Sequence, residues 1–149
     1  MKRATLGCII CIAFFSQDLA FGGVTANDLA QDKANCESAY PKNPQTMLTA
    51  CNKAVNSYKY AMSVAAAKHS RPALDRFTVL AMMEDRYRVW ALWKTGNLAK
   101  AQVEACKIGK TLHEIVANSK DKLAGQSAAG LDLGAYDPDL TAMPNRCDK

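Results

Sequence analysis

The 149-residue sequence predicts an all-α protein: a small antiparallel array of about four helices with an irregular C-terminal tail and two disulfides. Three observations predict it. Two long segments repeat their apolar residues at alternating spacings of three and four, which is the seam of a packed helix. No segment shows the period of two that a half-buried strand needs. Pro41, Pro44, Pro72 and Gly96 fall at the boundaries between the helical segments.

Residues 1–26 stand apart from that array. Lys2 and Arg3 form a positive start, Leu6 to Phe15 is almost wholly apolar, and small residues follow at Ala20-Phe21-Gly22 and Val24-Thr25-Ala26. This is the pattern of a secretory signal peptide. The apolar run is about ten residues, well short of the roughly twenty that cross a bilayer, so no stable membrane anchor is expected. Cleavage is expected after Ala26, with Val24 and Ala26 as the small residues, and a cut after Gly22 is the alternative. The mature chain is then periplasmic or extracellular, with a helical domain at 27–123 and a tail at 124–149.

The first helix is expected from an Asn27 or Asp28 cap to about Tyr40, where Pro41 stops it. Pro44 suits the first turn of the second helix, in which Met47, Cys51, Ala54, Tyr58, Ala61 and Ala65 form the seam. A third helix runs from Ser70 or Arg71 to about Thr95 and is apolar on two sides. Ala73, Phe77, Leu80, Tyr87 and Ala91 mark one side, and Val79, Met83, Trp90 and Trp93 the other. Such a helix belongs between neighbours, here the second and fourth. Trp90 is expected in the core, and Trp93, in the last turn, partly exposed. After Gly96-Asn97, the fourth helix carries Leu98, Ala101, Ala105, Ile108, Leu112 and Ile115 and frays after Ala117. From Ala124, Gly125, Gly130, Gly134, Pro138 and Pro144 predict irregular chain.

Four cysteines lie beyond the leader: Cys36, Cys51, Cys106 and Cys147. In an oxidising compartment they read as two disulfides, and sequence admits three connectivities. Cys36 and Cys51 flank the Pro41–Pro44 break at comparable distances, as residues facing across a helical hairpin do, which favours Cys36–Cys51 with Cys106–Cys147. No Cys-x-x-Cys pair or Cys/His cluster offers a metal site, and no cofactor is expected.

The formal net charge is +5, and removing Lys2, Arg3 and Asp18 with the leader leaves +4. The basic residues are scattered among acids, so no nucleic-acid partner is expected. His69 and His113 belong to no nucleophile or metal signature, and no Gly-x-Ser-x-Gly turn frames a serine. Glu84 and Asp85 are adjacent, which on a helix sets them about a hundred degrees apart and denies them a facing acid–base role. An enzyme is therefore not expected.

Between Arg86 and Lys110 the chain resembles one tetratricopeptide unit. The features are Trp90-Ala91-Leu92-Trp93-Lys94, the turn Thr95-Gly96-Asn97-Leu98, and then Ala101, Ala105 and Ile108. Gly96 permits the left-handed turn and Ala101 the close approach of the two helices. No second copy follows at a period of about 34 residues. The resemblance implies a helical hairpin that presents a groove to a protein partner and supplies no catalytic residue. Glu84, Asp85, Arg88 and Trp93 are the groove candidates, and a surface ion pair between Glu84 and Arg88 is the plainer role for those two. The function expected is an exported protein-binding module, a scaffold or adaptor. The alternative is an immunity-type inhibitor of a toxin or enzyme acting in the periplasm.

Overall fold

The computed structural model describes residues 23–132, which form five α-helices and no β-strand. Helix α1 (Ala26–Ser38) starts one turn earlier than the Asn27/Asp28 expectation because Thr25 caps it. The Thr25 hydroxyl accepts the Asp28 N–H at 3.1 Å while the Asp28 carboxylate accepts the Thr25 N–H at 2.8 Å, a reciprocal capping box. Helix α2 (Pro44–Ala67) is capped by Asn43, whose side chain accepts the Thr46 N–H at 3.0 Å, with Pro44 in the first turn. All six expected seam residues of α2 are buried. The helix ends at His69, whose left-handed φ of 53° lets the Ser70 N–H reach back to the Ala65 carbonyl at 2.9 Å.

Helix α3 (Arg71–Lys94) is buried on nearly every side and touches all four other helices. Helix α4 (Leu98–Asn118) follows a turn in which Gly96 takes φ +86° and the Asn97 N–H bonds the Leu92 carbonyl at 2.8 Å. A Cβ on Gly96 would meet nothing within 4 Å, so the glycine is required for its backbone angle and not for space. Ala101, Ala105, Ile108, Leu112 and Ile115 are buried as the repeat predicts, whereas Leu98 at the helix start is exposed.

The irregular tail expected from 124 is corrected over its first part, since helix α5 spans Lys122–Asp132. Ala124, Ala128 and Leu131 form a short four-three seam that packs into the core. Asp121 starts the helix by accepting the Ala124 N–H at 2.8 Å, and Arg76 of α3 holds that carboxylate at 2.6 Å. At the far end Arg86, also on α3, donates to the Leu131 carbonyl. Two arginines of the central helix thus clamp α5. The glycine at 125 costs up to about 1 kcal/mol in helix propensity, which tertiary contacts of this kind outweigh.

The helices zigzag in two layers. Helices α1, α3 and α5 touch in turn on one side, while α2 and α4 lie on the other, each against its sequence neighbours and not against each other. The Cys36–Cys51 disulfide joins α1 to α2, with both cysteines fully buried. The second expected disulfide, Cys106–Cys147, depends on Cys147, which lies outside the described residues.

Candidate functional site

The four groove candidates do not share one exposed surface. Glu84 is completely buried and Asp85 nearly so, because the run Met83-Glu84-Asp85-Arg86 passes through the middle of a helix covered on both layers. The expectation that the core leaves these residues to a partner is therefore corrected. The Glu84–Arg88 surface pair is replaced as well. Arg88 donates instead to Asp85 on its own helix and to Glu104 of α4 at 3.0 Å, fastening α3 to α4. Burial works against the Arg88 charge, but the hydrogen bond and charge of Asp85, followed by Glu104, raise its pKa above the ordinary value. Trp93 is half-buried against the core, with the Lys94 ammonium 4.4 Å from its ring centroid. Trp90 is 3% exposed, as expected, and the Tyr40 ring meets it edge-on at 4.8 Å.

Glu84 faces α1. The Lys33 ammonium stands 3.9 Å from its carboxylate, and Lys33 also pairs with Glu37 one turn along α1. Neither Glu84 carboxyl oxygen has a hydrogen-bond partner among the described residues. Burial pushes this carboxyl up to about 8, the Glu37 charge adds to the rise, and Lys33 opposes it. The proton is therefore held into the neutral range, well above where an exposed glutamate releases it.

Because α2 and α4 stay apart, they leave a groove of about 300 Å³ over the N-terminal half of α3. Its apolar lining comes from Met62 of α2, Leu74 of α3 and Ile115 of α4, with Thr78 and Thr111 between them. Arg71, Glu114 and Asn118 are its exposed polar members. Asp75, which is buried, accepts from Arg71 at 2.8 Å and from the Ser119 hydroxyl at 2.8 Å. The Thr78 hydroxyl donates to the Leu74 carbonyl at 2.8 Å. These groups are committed to one another, which leaves Met62, Leu74 and Ile115 as the apolar lining of the groove. Periodicity alone could have found Leu74 and Thr78, which stand four apart on α3 between its two apolar sides. Their opening to solvent depends on the gap between α2 and α4, which no local pattern encodes.

Among the described residues, no group of three or more His, Cys, Asp or Glu side chains could hold a metal ion. No described helix is long and apolar enough to cross a membrane. No protein-family model, curated protein or solved structure matches the chain.

Proposed function

We propose that this chain is an exported protein-binding module whose partner seats an apolar side chain in the groove between α2 and α4. The observation that carries the proposal is the groove itself: Met62, Leu74 and Ile115 form an apolar floor, and Glu114 and Asn118 are exposed polar groups beside it. Ligand pockets combine an apolar lining with a few polar groups that fix orientation. The antiparallel packing of α3 on α4 is compatible with the single helical hairpin that the resemblance at 86–110 implies. Export rests on the leader pattern of residues 1–26, and the buried Cys36–Cys51 disulfide suits an oxidising compartment.

The test is capture by the purified mature protein from periplasmic and extracellular fractions, with Leu74→Arg as the control. Leu74 is only partly buried, so the variant should retain its helical dichroism while losing the partner. Capture that survives Leu74→Arg would remove the groove from the binding surface. Recovery of a toxin-like enzyme, inhibited by the module, would select the inhibitor over the scaffold.

A further inference from the structure

We propose that the export leader is removed at the Gly22–Gly23 bond and not at Ala26–Asn27, an inference that rests on the export reading. The two bonds leave different ends on the fold. Thr25 supplies the complete cap of α1: its hydroxyl and N–H both engage Asp28, and its carbonyl accepts the Leu29 N–H at 3.1 Å. Leu29 is fully buried, so this first turn anchors α1 in the core. Val24 packs against the same core, and Gly23 sits beside α2, where an added Cβ would come within 3.9 Å of the Tyr60 hydroxyl.

Cleavage after Ala26 would discard all of this. It would also leave an ammonium group at Asn27, in the first turn of a helix whose N-terminal dipole end is already positive. Cleavage after Gly22 keeps the cap, Val24 and Gly23, and places Ala20 and Gly22 at the two small-residue positions of the site. In the reaction, signal peptidase directs a water molecule onto the Gly22 carbonyl. The Gly22–Gly23 carbon–nitrogen bond breaks, the water oxygen stays on Gly22, which leaves as a carboxylate, and both water protons end on the Gly23 nitrogen, the new ammonium terminus.

The experiment is intact-mass analysis and N-terminal sequencing of the full chain expressed with its own leader in a bacterial host. The result expected is a mature chain beginning Gly23-Val24-Thr25. A chain beginning at Asn27 would overturn the proposal while leaving export standing, and a chain that stays uncut from Met1 would overturn both. Gly22→Tyr should accumulate precursor and Ala26→Tyr should be processed normally, and the opposite pattern would refute the assignment. Refolded chains starting at 23 and at 27 should differ in melting temperature by roughly 5 °C in favour of the longer one. Equal melting would overturn the structural ground for the choice.

Discussion

The Lys33 ammonium on α1 stops 3.9 Å from the Glu84 carboxyl group on α3, too far to hydrogen-bond it. The carboxyl is thereby left to burial, which holds its pKa near 8 in the folded protein against an ordinary value of 4.5. Between those values the unfolded chain has released a proton that the folded chain retains. Stability therefore falls as pH rises from about 4.5 to about 8 and levels off above that. The full span is on the order of 5 kcal/mol. Asp28 and Asp121 have lowered pKa values, so their contributions are lost only as pH falls below the usual carboxylate range and leave this window alone. Urea midpoints measured from pH 5 to pH 9 should decline for the native chain and stay flat for Glu84→Gln. A native chain equally stable at pH 5 and pH 8.5 would show that Glu84 is ionised in the fold.

Trp90 and Trp93 should separate by stability. Trp90 is enclosed by the core and met edge-on by Tyr40, so Trp90→Ala should cost roughly 3–5 kcal/mol. Trp93 packs against the core on one side and meets Lys94 on the other, so Trp93→Ala should cost about 1 kcal/mol. Denaturant titration of both variants decides it. Equal losses would place the Trp93 ring as deep as Trp90.

Arg88 should matter more than an ordinary surface charge. Its removal leaves Asp85, 5% exposed, without the guanidinium that neutralises it, and breaks the link from α3 to Glu104 on α4. Arg88→Ala should cost roughly 2–4 kcal/mol, since breaking a largely buried pair strands the remaining charge. Replacing Asp85 and Arg88 together by Leu and Met should recover much of that loss. A double replacement as damaging as the single one would show that packing, and not the stranded charge, sets the cost.

The helices that bury one stripe were legible in the sequence. The seams of α2 and α4 needed only the helical period, and the Gly96 turn needed only its left-handed angle. The charged residues of α3 were not, because Glu84 and Asp85 look like solvent-facing residues until neighbouring helices, α1 over Glu84 among them, close over them. Helix α5 was hidden for a related reason. Gly125 and Gly130 read locally as breaks, while the groups that sustain the helix, Arg76 and Arg86, lie about 45 residues away in the chain. The groove was half legible: Ile115 belonged to a visible seam, but the separation of α2 from α4 that exposes Leu74 is a property of the whole array.

The disulfides should follow the layer arrangement. Cys36 and Cys51 are joined across the α1–α2 hairpin, closing a loop of about fifteen residues. In the chain-entropy account such a loop stabilises by about 3 kcal/mol, so Cys36→Ala with Cys51→Ala should lower the melting temperature by roughly 10 °C. Peptide mapping without reduction should recover Cys36 linked to Cys51. It should also recover Cys106 linked to Cys147, the pairing left once α1 and α2 have used the other two. Cys51 lies on α2 and Cys106 on α4, helices that do not approach each other. A peptide joining Cys51 to Cys106 would therefore overturn the zigzag itself, and with it the groove that the gap between α2 and α4 creates.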